Sequence, residues 1–508
     1  MDVVTQPGGS PGVSGGWTPR LILSMASIML LLELLAVSYI MISMVIPEIS
    51  GHYQTTQGAW MLTAFLLVGA VTGPLLGKLA DMYGKRKFLL LCVGIAAAGG
   101  LISAVSTSYS VMIIGRSLSG FLIPCVFLSY SLIRDVFPAK TIALAVSIVT
   151  SGMGLIAIPA PFFAGWIIDN MGFRGVFWLF TAGMVIFGPA IYLTTQESTV
   201  RLHARIDLVG AVLLGAGVAG VLVGISFGPS WGWQAGSTLL FILGGIVLLG
   251  AWLVTAGKLR DPLVDLSILR KRPVYITAVA SGMCYGGSAL YTILLPMMAM
   301  TPSEMGLGYG FGVSAKGFAI FQAPIGGMVA VGGIIVGLLV GRRDIRPRWL
   351  MIVGMSFMAA AFLLTALVHD NKPLLLLFGA LIGTGMGLGY AAVPNLLIEA
   401  VPPQLQASTA SIVNVAQSVV AAALPVVVFS TLHSYIAPIP MEMTHGHIFY
   451  TDEGFKVAFL IGAGCAAFAA IIALFVPKKI EQVELPKETV SASGPVSSTG
   501  GPEPVAVA

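Results

Sequence analysis

One carboxylate, Glu33, falls well inside a long apolar run of this 508-residue chain, and one cation, Arg116, falls about two turns inside another. An ionised carboxylate in the middle of a hydrocarbon layer costs at least a few kcal/mol, so such a group is protonated, paired or turned toward a water-filled cavity. A carboxyl that exchanges its proton can carry proton coupling; one held permanently in a hydrogen bond is structural. The sequence alone leaves both readings of Glu33 open. Arg116 keeps its charge, reaches far, and is the nearest candidate partner for Glu33 by depth. Coupling or cavity electrostatics stands for Arg116 beside a plain bond to a backbone carbonyl.

A second constellation is Gly77-Lys78-Leu79-Ala80-Asp81-Met82-Tyr83-Gly84-Lys85-Arg86-Lys87, in which two glycines bracket a carboxylate and cations follow. Gly77 and Gly84 permit a tight turn, and Asp81 at a helix end can accept hydrogen bonds from the positive N-terminus of a neighbouring helix. Asp81 and Arg86 would then tie helix ends together as a conformational latch. Gln322, Asn395, Asn414 and Gln417, with Tyr39, Tyr130, Tyr285, Tyr291 and Tyr390, are candidates to line a substrate cavity; each also serves as interhelical packing or an interfacial ring. Gly215-Ala216-Gly217-Val218-Ala219-Gly220 fits a dinucleotide fingerprint in letters only, since it lies in mid-run with no strand before it; it reads as helix packing. There is no GxxxxGK[ST] loop, so no ATP site of that kind. His445, His447, Glu442 and Asp452 read as solvated loop rather than a metal site.

The elements that must position these residues are fourteen apolar spans, at about 21–46, 58–77, 88–106, 110–133, 142–168, 173–194, 207–228, 237–257, 275–300, 315–340, 348–368, 373–398, 409–433 and 456–476. All but five of the 26 Lys and Arg residues, the exceptions being Arg116, Arg174, Lys316, Lys372 and Lys456, fall on alternate connections that share one side. By the positive-inside rule that side and both termini are cytoplasmic, which an even number of spans requires. With 57% hydrophobic and 9% charged residues, no large soluble domain fits, and the net charge of +5 reflects loops lying against anionic lipid rather than a nucleic-acid partner. Cys92, Cys125, Cys284 and Cys465 sit singly in separate spans as small core residues. Gly, Pro and Ser in residues 1–20 and 478–508 predict disordered cytoplasmic tails, and the first run, without a basic n-region or cleavage site, reads as a retained span.

The segment from Gly77 to Lys87 resembles motif A of the major facilitator superfamily. A decayed copy follows span ten, with Gly337 at the Gly77 position, Leu339 at Leu79, Gly341 at Asp81 and Arg346 at Arg86. Ile133-Arg134-Asp135-Val136-Phe137-Pro138 after span four is echoed by Ile398-Glu399-Ala400-Val401-Pro402 after span twelve. Arg116 and Gly120 resemble motif B. Gly154, Ala160, Pro161, Ala164 and Gly165 resemble antiporter motif C, with alanine at two glycine positions that still allow close helix packing. Phe173-Arg174-Gly175-Val176-Phe177 resembles the segment opening span six without its two tryptophans. Asp207, Gly210 and Asp261-Pro262-Leu263 are similar to the fourteen-span drug:proton antiporter branch. In span one the aspartate of that pattern falls on Ser38, and span ten carries no acid. Glu33, five residues from Ser38, is turned by about 140° from it.

The resemblance implies an all-α polytopic membrane protein of major-facilitator fold: a six-helix bundle at 21–194, an inserted helix pair at 195–274, and a second six-helix bundle at 275–477. It implies a monomer in the plasma (cell inner) membrane, with no cofactor, that uses a proton gradient to export an amphipathic or hydrophobic small molecule by alternating access. Proton-coupled uptake of a small metabolite or organic acid is the alternative, and a non-transporting receptor or enzyme a third.

Overall fold

The computed structural model describes residues 16–477 except 56, 59, 153, 155–158, 260, 344 and 439–448, and the backbone alone at 39, 40, 43, 44, 47, 160–162, 164, 165, 169, 315, 316, 342 and 343. The expectations for residues 1–15 and 478–508, and for His445 and His447, fall outside these. Thirteen described helices are long and apolar enough to cross a membrane, joined by the shorter apolar helix Ala139–Ser151. The protein is a multi-pass, all-helical membrane protein.

Helix boundaries follow local chemistry. Span one is the helix Pro19–His52, with proline in its first turn and the Thr18 hydroxyl accepting from Leu21 N at 3.3 Å. Span two, Trp60–Tyr83, passes to span three, Lys85–Val105, through Gly84 alone, whose φ of 131° suits a residue with no β-carbon. Span four is Tyr109–Ser119, a 3₁₀ turn at Gly120–Leu122, and Cys125–Val136. Span five, expected as one run, is described as the helix Ala139–Ser151 and, beyond residues 155–158, the start of Ala160–Thr194. Pro159 and Pro161 stand at the start of the second of these, where a missing backbone donor is tolerated. Gly172, at φ 62°, divides the rest of span five from span six.

Spans seven (Leu208–Trp231) and eight (Gly236–Ala256) pair closely, because a β-carbon at Gly220 would lie 2.8 Å from Phe241 O and one at Gly245 2.8 Å from Gly217 O. The glycine-rich hexad is thus helix packing, as small residues between membrane helices generally are. Asp207 opens span seven by accepting from Gly210 N at 2.7 Å, and its other oxygen takes Leu263 N at 3.1 Å. Lys78 of span two donates to Pro262 O at 3.0 Å, fastening the loop before span nine to the first bundle.

The second bundle comprises spans nine (Arg272–Met300), ten (Ala315–Arg343), eleven (Pro347–Leu367), twelve (Lys372–Ala400), thirteen (Gln406–Leu432) and fourteen (Asp452–Ala473). Spans one and three pack on six, ten and eleven on twelve, and nine on thirteen and fourteen. The bundles meet along two seams, span two against thirteen and span five against ten. If spans one to six are laid on spans nine to fourteen, two corresponds to ten and five to thirteen, so the seams are counterparts.

Candidate functional site

Between the bundles lies a cavity of about 360 Å³ with contributions from both halves. Leu35, Ala36, Phe65, Leu66, Ile123 and Gly154 form its first-bundle wall. The opposite wall carries the polar groups: Tyr285, Ser288 and Thr292 on one face of span nine, Gln322 on span ten, Tyr390 on span twelve, and Asn414, Gln417 and Ser418 on span thirteen. Tyr285 and Tyr390 pack ring to ring, with centroids 4.5 Å apart. Ser288 and Thr292, three and seven residues after Tyr285, share its helix face, so that spacing was the signal for two lining residues the sequence reading missed.

Of the candidate lining residues, Tyr285, Gln322, Tyr390, Asn414 and Gln417 are at the cavity and three others are not. Tyr291 turns into the second bundle, its hydroxyl 3.3 Å from Thr365 Oγ1 and its ring edge-on to Phe362. Tyr130 is buried in a core cluster that includes Leu396 and Leu397 of span twelve. Asn395 donates to Ser147 Oγ at 3.1 Å across the seam. The side chain of Tyr39 lies outside the described residues.

Arg116, 1% exposed, donates from Nε to Met61 O at 3.0 Å and from Nη1 to Ser38 Oγ at 2.7 Å, with its guanidinium 3.9 Å from the centre of the Phe65 ring. It thus reaches the position where the resembled pattern has aspartate and finds a hydroxyl. Glu33, 4% exposed, is placed against span five: a β-carbon at Gly152 would lie 3.2 Å from its Oε1. Of the motif C residues, Gly154 packs on span ten, where a β-carbon would meet Gly326 O at 2.5 Å. The side chains at Ala160, Pro161, Ala164 and Gly165 lie outside the described residues.

At the basic-loop end, the seam between spans two and thirteen is held by Asp81, which is 1% exposed. Its Oδ1 accepts from Ala407 N at 3.2 Å and its Oδ2 from Ser408 N at 2.8 Å, in the first turn of span thirteen. Span thirteen has leucine, Leu405, at its own cap position, and no side chain there accepts from its first turn. Asp81 therefore supplies from the other bundle the anionic acceptor that a helix N-terminus favours. Gly77 makes this approach possible, since a β-carbon there would lie 2.7 Å from Ala407 O.

Lys85, fully buried, stands 3.7 Å from Asp81 Oδ1 and 2.6 Å from Asp135 Oδ2, and donates to Pro403 O at 2.9 Å. Arg134 donates to Val401 O at 2.7 Å and also to Gln406 Oε1. These cations, which the sequence gives as parts of the 77–87 and 133–138 segments without a partner, join the bundles. Their signal was the Arg134-Asp135 pair repeated in altered form after span twelve. Arg86, by contrast, stays within the first bundle: its Nη1 donates to Thr195 O at 2.7 Å at the end of span six, while Glu197 accepts from the Arg86 and Lys87 N–H groups at 2.9 and 3.0 Å.

A helical protein of two six-helix halves around a central cavity fits one class, and sequence comparison places it there. The family model of the Major Facilitator Superfamily matches residues 26–207 and 206–425, and the chain belongs to that family. It is 25% identical over 343 residues to an uncharacterized MFS-type transporter of Mycobacterium tuberculosis strain H37Rv, covering 66% of this chain but only 48%, about half, of that relative's length. It is 25% identical over 356 residues to a probable multidrug resistance protein, EmrY, of Escherichia coli strain K12, covering 69% of this chain and 66% of that one. The fold is shared with the crystal structure of the human organic anion transporter MFSD10 (TETRAN), at TM-score 0.60 and 15% identity over 90% of this chain and 100% of that one.

Proposed function

We propose that the protein is a proton-coupled secondary transporter that exports an amphipathic or hydrophobic small molecule from the cytoplasm by alternating access. The observation that carries this reading is a central cavity shared by two bundles whose basic-face seam is closed by a carboxylate of one bundle on the helix start of the other. Such a bond between rigid bodies is made in one arrangement and broken in another, as rocking about a midplane site requires. By the positive-inside rule the basic face is cytoplasmic, so in this reading the described arrangement holds the cytoplasmic entrance shut. The relatives' names, one of them a probable multidrug resistance protein, support export.

Glu33 is the group proposed to bind the coupling proton, because it is the one acid deep in a span and lies against span five at Gly152. The test is Glu33→Gln in proteoliposomes. The variant mimics the protonated acid, so it loses substrate accumulation driven by a pH gradient and keeps gradient-free exchange. One proton crossing is worth about 2.3 kcal/mol per 100 mV, so the loss far exceeds assay scatter. Undiminished proton-driven accumulation by Glu33→Gln removes the residue from coupling.

A further inference from the structure

Among the described residues the cavity is polar on one wall only. Its first-bundle side there consists of Leu35, Ala36, Phe65, Leu66, Ile123 and Gly154 and offers no side-chain hydrogen-bonding group, whereas the second-bundle side presents three carboxamides and two phenols. No Asp, Glu, Lys or Arg is among these described lining residues. In the whole sequence, Glu33 and Arg116 are the only ionisable acid and base of those four kinds well inside any span. Glu33 lies against Gly152, and Arg116 stacks on the Phe65 ring with two of its nitrogens given to Met61 O and Ser38; neither is among the described lining residues. An ion moved into such a space would meet no opposite charge in the lining to offset its lost hydration. A neutral molecule with its polar atoms along one edge would place that edge on Gln322, Asn414 and Gln417, its rings beside the Tyr285–Tyr390 pair, and its apolar edge on Leu35 and Phe65.

From this division, and resting on the transport reading, we infer that the substrate is an uncharged, ring-containing molecule with hydroxyl and carbonyl groups on one edge, neither an organic cation nor an organic anion. The carboxamides suit it because each offers both donor and acceptor to such an edge. A cavity of about 360 Å³ is of the size that holds a drug-sized ligand.

The test uses binding, which needs no transport, on the full-length protein in lipid nanodiscs at pH 6. Three planar fused-ring probes are compared by thermal shift and equilibrium binding: neutral 1,8-dihydroxyanthraquinone, anionic anthraquinone-2-sulfonate and cationic ethidium. The expected order has the neutral probe binding at least about tenfold more tightly than either ion. The affinity ratio of dihydroxyanthraquinone to unsubstituted anthraquinone is then measured in Asn414→Leu, and in Tyr390→Phe as a second variant should the first misfold. Each loses one partner of the polar edge, so the ratio falls by about three- to tenfold, the worth of a hydrogen bond. An ion bound as tightly as the neutral probe, no probe bound, or a ratio unchanged in a folded variant each overturns the inference. Failure of the transport reading shows separately, as binding in the expected order with no flux of the neutral probe across proteoliposomes in either direction.

Discussion

The two seams between the bundles are built alike in their glycines and unlike in their charges. A β-carbon at Gly77 would lie 2.7 Å from Ala407 O, and one at Gly337 would lie 2.8 Å from Leu144 Cα, so both seams depend on backbone approach at equivalent positions. Beyond that the resemblance stops. Asp81 caps span thirteen, with Lys85, Asp135 and Arg134 around it. Its counterpart Gly341 faces the start of span five with nothing closer to a β-carbon than Ala143 Cβ at 3.9 Å and Lys140 O at 4.0 Å. No side chain accepts a hydrogen bond at that helix's cap position. One seam is a close fit held by a carboxylate, the bond that the transport proposal has released in each cycle; the other, among the described residues, is a close fit with one side-chain link, Asn395 to Ser147. A duplicated fold thus keeps the contact surface in both copies and places the carboxylate cap in one.

The comparison breaks most severely at the glycines. Gly77→Val and Gly337→Val each drive a side chain into neighbouring backbone, and both are expected to abolish transport, with the cytoplasmic side unable to close. The measurement is labelling of a Ser418→Cys reporter at the cavity by an impermeant thiol reagent applied to the basic face, in a background lacking the four native cysteines. Normal flux from well-expressed Gly337→Val, with Gly77→Val inactive, would deny that the second seam closes in the cycle.

The next effect in size separates the seams. Asp81→Asn preserves shape but can accept from only one of the two span-thirteen N–H groups while turning a donor toward the other. Leaving one buried donor unmet costs about 1–3 kcal/mol, so the closed-to-open ratio falls roughly ten- to a hundredfold, reporter labelling rises and flux drops while the protein still folds. Wild-type flux and labelling from Asp81→Asn would end the latch role. The smallest effect sharpens the contrast: Gly341→Asp has room for its side chain and faces the first turn of span five. It should raise Tm slightly and slow turnover by a few-fold, as an added helix-end carboxylate worth about 0.3–1 kcal/mol would do. Faster turnover would show that the two seams do not share a geometry.

The spans, the duplicated halves and the packing role of Gly217 and Gly220 were legible because hydropathy, charge asymmetry and small-residue spacing report directly on a bilayer. Asp81 among glycines and cations already reads as an acceptor for some helix start. Which helix is not readable, since Ala407 lies 326 residues further on and nothing local in either segment names the other. Tyr130, Tyr291 and Asn395 are cavity candidates by type and depth with interhelical packing as their other reading; their rotation about the helix axis, set by neighbours such as Thr365 and Ser147, decides for packing. Tyr285, Tyr390, Asn414 and Gln417 share type and depth with them and face the cavity, so no local rule separates the two sets.

The cap that Asp81 lends to span thirteen also bears on how the chain matures. Span thirteen is synthesised with leucine at its cap position, where no side chain accepts from its first turn. Span two, made more than three hundred residues earlier, carries the acceptor that Ala407 and Ser408 meet. That contact therefore waits on docking of the second bundle on the first, and the bond that the transport proposal has opened in each cycle also joins segments made far apart in time.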